Sequence, residues 1–403
     1  MHENPPAVSW REGGVARRAR WLTANDRRPP THILVVTDGL TADDACRLAA
    51  GGTGLLWRGD FPNARALLAA MARRIDRSAA RRRPLPPAAE FHRQRRHRAH
   101  RARLLGAVLV ELGPGHVLGL RRAPDVAAAC HEVYGPSATP AVLALRELIG
   151  VLSAHEWRRT GIPIPALGAR IHPHHGVFAP TRTDYVALVA QAPLGPVRRA
   201  FDIGTGTGVL AAVLLHRGVP AVVATDVEPC AVACARENLQ RLGFADRSTV
   251  LRRNLFPPGR ADLVVCNPPW MPGTPASPLE AGIYDRRGAT LAAFVRGLPD
   301  HLTGRGEAWL VVSDLPELLG LRDPGALPAL VAEAGLAVRE RLTAPPSTRP
   351  QPTDDALARL RSRETIALWR LGRAEPSVPA GTTAPCRRTP RRSTPTSRGN
   401  PRT

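Results

Sequence analysis

From about residue 197 onward, short apolar runs rich in β-branched residues alternate with stretches whose apolar positions recur every three or four residues. The runs at 199–203 (RAFDI), 221–225 (AVVAT), 248–252 (STVLR), 262–266 (DLVVC) and 308–313 (AWLVVS) read as strands, and two more are expected near 335–342 and 364–370. Strands separated by helices are the mark of βαβ units in a parallel sheet, so this part is expected to be an α/β, doubly wound domain of seven strands spanning 166–373. Upstream the texture differs. Residues 41–50 and 62–77 carry apolar residues at helical spacing, with Thr41 and Asn63 as capping candidates near their starts. After the break at 84–87 (PLPP), an Arg- and His-rich segment continues as an expected helix into LLGAVLVEL, and 138–157 again has helical spacing. Residues 31–165 are therefore expected to be a mainly helical N-terminal region. Residues 1–30 and 374–403 mix Pro, Arg and small polar residues without a period, and both are expected to be disordered tails.

A chain of 403 residues suits two folded units with tails, and its 43% hydrophobic content suffices for their cores. No run of about 18 apolar residues is present, and the first 30 residues lack the apolar stretch of a secretory signal. The expectation is a cytoplasmic protein with no membrane partner. The six cysteines are dispersed, which fits a reducing compartment, and Cys230 and Cys234 have no second pair to complete a zinc site. The formal charge of +22 comes with no Lys at all, so every basic residue is Arg. Residues 1–30 contribute +3, 73–103 contribute +10 and 376–403 contribute +6, leaving the rest near neutral. The Arg-rich stretch and the C-terminal tail suit electrostatic contact with RNA or another polyanion, or simply form solvated surface.

Candidate chemistry gathers in the C-terminal half. The first strand runs into Asp202-Ile203-Gly204-Thr205-Gly206-Thr207-Gly208 and then the helix VLAAVLLHRG. Alternate glycines permit a tight turn and close approach of a ligand to backbone N–H groups. Gly206, Gly208 and Ala211 also satisfy the G-x-G-x-x-A spacing of a dinucleotide site. Asp226, at the tip of the second strand, is placed to accept hydrogen bonds from ribose hydroxyls. A nicotinamide dinucleotide and S-adenosylmethionine fit these features equally. Asn267-Pro268-Pro269-Trp270, where the fourth strand ends, separates them. The Asn267 side-chain oxygen and the Pro268 carbonyl are two acceptors for one planar NH2, Pro268 and Pro269 fix the backbone, and Trp270 offers a flat face. A hydride-transfer enzyme has no use for that arrangement.

With DIGTGTG, ATDVEP and NPPW in order, the chain resembles the class I S-adenosylmethionine-dependent methyltransferases over about 165–372. It is most similar to the Asn-Pro-Pro-aromatic group, which includes release-factor glutamine N5-, adenine N6- and small-domain ribosomal RNA methyltransferases. The resemblance implies a Rossmann-like seven-stranded sheet and S-adenosylmethionine as cofactor. It implies cofactor contacts from Asp202, Gly204, Thr205, Gly206, Gly208 and Asp226. Asn254 and the following Leu255 fall where relatives often place an Asp that contacts the adenine. Residues 176–185 (GVFAPTRTDY) resemble the segment bordering the cofactor in the glutamine enzymes, which makes Thr181, Arg182 and Thr183 further candidates. Asn267, Pro268, Pro269 and Trp270 are then the catalytic set. Two carbonyl acceptors on one NH2 turn its lone pair toward an activated methyl and stabilise charge growing on nitrogen, so no strong base is required. The expected acceptor is an amide or exocyclic amine of a macromolecule, protein glutamine or RNA. A small-molecule acceptor, or an RNA-binding protein whose methyltransferase fold no longer turns over, are the competing readings. His172, His174 and His175 are expected to lie in a surface loop and not to bind a metal.

Overall fold

The computed structural model describes residues 6–25, 27–80, 83, 85–344 and 356–374. The expected C-terminal tail lies outside the described residues beyond Ala374. The chain forms two α/β units, each around its own sheet.

The N-terminal unit departs from the helical expectation. Strands β1 (Ala7–Glu12) and β2 (Val15–Trp21) form an antiparallel hairpin where a disordered tail was expected. Gly13 and Gly14 join them, both at positive φ, as a two-residue hairpin turn requires. Then follow β3 (His32–Val36), α1 (Ala42–Ala50), β4 (Thr53–Trp57), α2 (Phe61–Ala80), α3 (Pro87–Leu105), β5 (Val108–Leu112), α4 (Ala127–Tyr134), β6 (Ala141–Ala144) and α5 (Leu145–Thr160). The strand order is β1-β2-β6-β5-β4-β3, and β1 lies against β3, so the sheet curls on itself. Its outer face packs Trp57, Val110 and Leu143 against Ala45, Met71 and Leu148 of the helices. On the inner face the hairpin's Val8, Trp10 and Trp21 cover Leu56, Leu109 and Val142. Arg58 ties the curl together, donating to Glu12 at 2.7 Å and to Glu111 at 2.7 Å. The Arg58 guanidinium holds the Glu12 carboxyl down at about 2.

Three local expectations are corrected as well. The helix expected to run into LLGAVLVEL stops at Leu105, because Gly106 caps it and the apolar, Val-rich VLVEL pairs into the sheet as β5. Of 138–157, residues 141–144 are strand β6 and the helix begins only at Leu145. Thr41 does cap α1, accepting from Asp44 N, whereas Asn63 sits inside α2 and donates instead to Asp38 at 3.0 Å.

A short hairpin, β7 (Ile162–Ile164) and β8 (Ala169–Ile171), leads into the second unit. The chain continues through α6 (Asp184–Gln191), β9 (Arg199–Ile203), α7 (Val209–His216), β10 (Ala221–Asp226), α8 (Pro229–Arg241), β11 (Ser248–Arg252) and β12 (Ala261–Cys266). An excursion of β13 (Met271–Pro272), α9 (Pro278–Ala281) and β14 (Tyr284–Asp285) precedes α10 (Ala289–His301) and β15 (Leu302–Ser313). The unit closes with α11 (Leu315–Leu318), α12 (Ala326–Glu333), β16 (Leu336–Ala344), α13 (Ala356–Arg361) and β17 (Ile366–Arg373). The seven strands lie in the order β11-β10-β9-β12-β15-β17-β16, the first five parallel and β17 antiparallel to both its neighbours. Each of the seven falls where the apolar runs place it. Successive residues of β12 face opposite cores: Leu263 and Val265 pack toward α6, α7 and α8, while Val264 and Cys266 pack toward α10 and α12.

The hairpin yields a stability test. Trp10 is 6% exposed in the inner core, so Trp10→Ala is expected to lower unfolding free energy by about 3–5 kcal/mol. Chemical denaturation checks this, and an unchanged midpoint means the hairpin does not pack in solution.

Candidate active site

Sheet register brings the candidate residues to one edge. In the parallel ladder Ile203 pairs with Thr225 on one side and with Cys266 on the other. Each next residue, Gly204, Asp226 and Asn267, therefore leaves its strand at the same level. With strands about 4.8 Å apart, Asp226 and Asn267 flank Gly204 across roughly 10 Å.

The turn itself is built from backbone and one buried acid. Gly204, Gly206 and Gly208 all have positive φ. A Cβ on Gly204 or Gly206 would meet open space, whereas one on Gly208 would press at 3.2 Å on Ala235 of α8. The first two glycines thus leave a bare backbone surface, and the third lets the turn close against a helix. Asp202 is 1% exposed and accepts from Thr205 Oγ1 at 2.6 Å and from Ala211 N at 3.0 Å. Its role in the structure is to tie the turn to the first residues of α7. Burial pushes its carboxyl up to about 6, against those two hydrogen bonds and with help from the nearby Asp226 charge. Asp226 accepts from Gly206 N and Glu228 N, both at 3.0 Å, which fixes its rotamer and leaves further lone pairs for a ligand.

The other candidates are distributed unequally. Leu255 adopts a left-handed φ of 58°, a conformation costing a side-chain-bearing residue about 1–2 kcal/mol, and its carbonyl accepts from Thr225 Oγ1 at 2.6 Å. Asn254, just before it, is exposed beyond β11. Thr183 starts α6 without a side-chain cap bond, and neighbouring Tyr185 lies close enough to Asp202 that burial and the Asp202 charge together raise its phenol. Thr181 is exposed. Arg182 is engaged elsewhere, pairing with Asp184 and Glu364 at 3.0 Å each. Glu364 in turn accepts from Ser313 at the end of β15 at 2.7 Å. Sequence reading missed this Arg182-Glu364-Ser313 lattice, although Ser313 ends an apolar strand on the same edge as Asn267. It also missed Asn238, buried in α8, whose amide donates to the Thr207 carbonyl at 3.0 Å and accepts from His172 N at 2.8 Å.

Asn267 is half-buried, and its side chain bonds to no described residue. Pro268 is buried, Pro269 half-buried, and Trp270 leans into an apolar cluster with Met271, Leu315 and Phe91. Phe91 belongs to α3. From the same helix Arg95 lies over the Tyr284 ring at 3.8 Å and donates to the Thr274 carbonyl at 2.7 Å. The N-terminal unit therefore grips the excursion that follows NPPW.

The histidines form a half-buried joint, correcting the surface-loop expectation. His172 Nδ1 lies 2.7 Å from the Arg158 carbonyl, and His174 Nε2 lies 2.8 Å from Glu237, which Arg158 also reaches at 2.7 Å. Burial pushes the Glu237 carboxyl up, yet hydrogen bonds from Arg241, His174 and Arg158 hold it at about 2. Among the described residues, no group of three or more His, Cys, Asp or Glu is placed to hold a metal ion.

The strand order, the glycine turn and NPPW at neighbouring strand tips coincide with a match of residues 168–317 to the family model of the methyltransferase small domain. The chain is 33% identical over 175 residues to a release factor glutamine methyltransferase of Cereibacter sphaeroides, covering 39% of this chain and 59% of that one. It is 31% identical over 137 residues to a tRNA1(Val) (adenine(37)-N6)-methyltransferase of Bacteroides thetaiotaomicron, covering 32% and 58%. The chain thus spans less than two thirds of these relatives' length. A solved ribosomal protein L11 methylase from Lactobacillus delbrueckii subsp. bulgaricus aligns over 47% of this chain and 77% of its own, at 17% identity and a TM-score of 0.33.

Asp202 gives the second unit a measurable pH signature. A carboxyl holding its proton to about 6 when folded and to 3.8 when unfolded stabilises the fold below pH 4, and loses that contribution as pH rises through 6. Between pH 4 and 6, wild type should therefore lose about 2–3 kcal/mol relative to Asp202→Asn. Denaturant midpoints of the pair across this range check it; parallel pH profiles mean that Asp202 is ionised throughout.

Proposed function

We propose that the protein is an S-adenosylmethionine-dependent N-methyltransferase acting on a planar NH2 group of a macromolecule. One observation carries the reading: Asp226, Gly204 and Asn267 leave adjacent strands in register, and the half-buried Asn267 side chain makes no hydrogen bond among the described residues. The residues present fit the cofactor. Bare space over Gly204 and Gly206 admits a ligand against the backbone, and Asp226 retains acceptors for two ribose hydroxyls.

Bound there between the glycine turn and Asp226, the cofactor would supply an activated methyl on its sulfonium sulfur, and the proton of the acceptor nitrogen would pass to water. The protein's contribution is orientation and charge. Asn267 Oδ1 and the Pro268 carbonyl accept the two N–H bonds, which directs the lone pair and stabilises the cationic nitrogen. Pro268 and Pro269 remove backbone freedom from these acceptors, and Trp270 carries the flat acceptor group. The names of the relatives, one acting on glutamine and one on adenine, support an NH2 acceptor and leave its macromolecule to the test.

The test separates the two halves of the site. Asp226→Ala should weaken cofactor binding by about 1–3 kcal/mol in calorimetry, since ribose hydroxyls lose their acceptor. Asn267→Ala should bind cofactor like wild type yet transfer labelled methyl to the acceptor-containing cell fraction at least ~100-fold more slowly. Unchanged affinity in the first removes the cofactor site, and a wild-type rate in the second turns the reading toward an oxygen or carbon acceptor.

A further inference from the structure

We propose that the outward face of α3 is a track that leads a nucleic-acid strand to the NPPW site, an inference that rests on the N-methyltransferase reading above. The helix has two electrostatic faces. Toward the protein its cations are matched: Arg93 pairs with Glu90, Arg95 with the Thr274 carbonyl and Glu280, and His97 and Arg101 share Asp76. Outward, His92, Arg96, His100 and Arg103 are exposed, four, four and three positions apart, and so form one stripe. Among the described residues, no carboxylate pairs with Arg96 or Arg103. An Arg-only composition alone would scatter cations without regard to acids. Here the carboxylates serve the cations off the stripe, of which only Arg98 lacks a carboxylate partner among the described residues, and none serves the stripe itself.

The two ends of the stripe give it direction. At its start the His92 ring meets Phe91 edge-on at 5.5 Å, and Phe91 packs in the cluster that includes Trp270 and Met271. At its other end, about 16 Å along the helix, Arg103 joins Arg27 and Arg28 around a cavity of about 270 Å³. Arg27 donates to the Arg103 carbonyl at 3.2 Å, which fixes the two elements together. Unmatched guanidiniums at regular spacing suit a ligand with regularly spaced phosphates, which they bind bidentately while counterions are released. The chemistry at the destination points the same way. An exocyclic NH2 reaching Asn267 beside the flat Trp270 face is that of a base taken out of its stack, and bases are read in this way in single strands and loops. An acidic polypeptide offers charge without that flat group.

Fluorescence anisotropy on the full-length protein tests the track, using a fluorescein-labelled 20-nucleotide single-stranded RNA of mixed sequence, its DNA counterpart and poly-glutamate as competitor. Arg96→Glu/Arg103→Glu should weaken RNA binding at least ~10-fold and reduce the slope of log Kd against log salt by about 1.4, two strand phosphates' worth. Arg47→Glu/Arg65→Glu, the same double charge reversal on the exposed faces of α1 and α2, serves as control and should cost less than ~3-fold. Melting curves and cofactor calorimetry should be the same for all three proteins. The DNA arm reports whether the 2′-hydroxyl contributes, and tight binding of either strand through Arg96 and Arg103 supports the track. Equal losses in the double variant and the control overturn it, as does displacement of RNA by poly-glutamate at matched charge concentration. If wild type binds no S-adenosylmethionine, it is the methyltransferase reading that fails; if it binds cofactor normally and the RNA results are negative, only the track fails.

Discussion

Everything at the candidate site depends on the register of three parallel strands. β10, β9 and β12 hold Thr225, Ile203 and Cys266 side by side, so the three residues that follow them emerge on one level. What fixes the register is the difference between the two cores. On the α7 side β9 and β10 present Ala200 and Ala224, which let the helices close; on the α10 side they present Phe201 and Val223. A slip of one residue would drive Phe201 into a space sized for alanine and would bring Ala to a cavity sized for Phe. The position of Asn267 relative to Gly204 is thus a consequence of apolar packing far from any polar atom of the site.

Polar groups then refine what packing placed. Asp202 uses its buried oxygen on Thr205 and Ala211, and Asp226 uses part of its carboxylate on Gly206. Both acids brace the glycine turn from below and beside, so the turn is rigid before a ligand arrives. Asn238 does the same from α8 through the Thr207 carbonyl. Preorganisation of this kind lowers the ordering cost of binding, because few torsions remain to be frozen. Asn267 is the exception, since none of its hydrogen-bonding capacity is used within the described residues.

The N-terminal unit is joined to this arrangement at two places. Arg158 of α5 meets Glu237 of α8 with His174 between them, and α3 presses Phe91 and Arg95 onto the excursion after NPPW. The second joint matters more for chemistry, because Trp270 shares its apolar cluster with a residue of the other unit. A change in α3 therefore reaches the acceptor side of the site without passing through the cofactor side.

By itself the sequence determined the C-terminal sheet, its strands and the candidate residues at their tips. Long apolar runs buried on both faces have one reading, and glycine turns and an Asn-Pro-Pro-Trp segment tie chemistry to short stretches of chain. It did not determine the N-terminal unit, where VLVEL and AVLA are too short to separate strand from helix by periodicity, and where arginines between Val8, Trp10, Ala19 and Trp21 hide a hairpin whose apolar positions alternate. Only the tertiary structure decided that those runs pair across the sheet, because pairing depends on partners 121 residues away, such as Arg20 with Ala141. Only it matched Arg95 and Arg101 of α3 to acids and left the outward stripe without any, since Asp76 and Glu280 come from α2 and from the excursion beyond NPPW. Local pattern records what a segment prefers, and long-range contact decides which neighbour satisfies it.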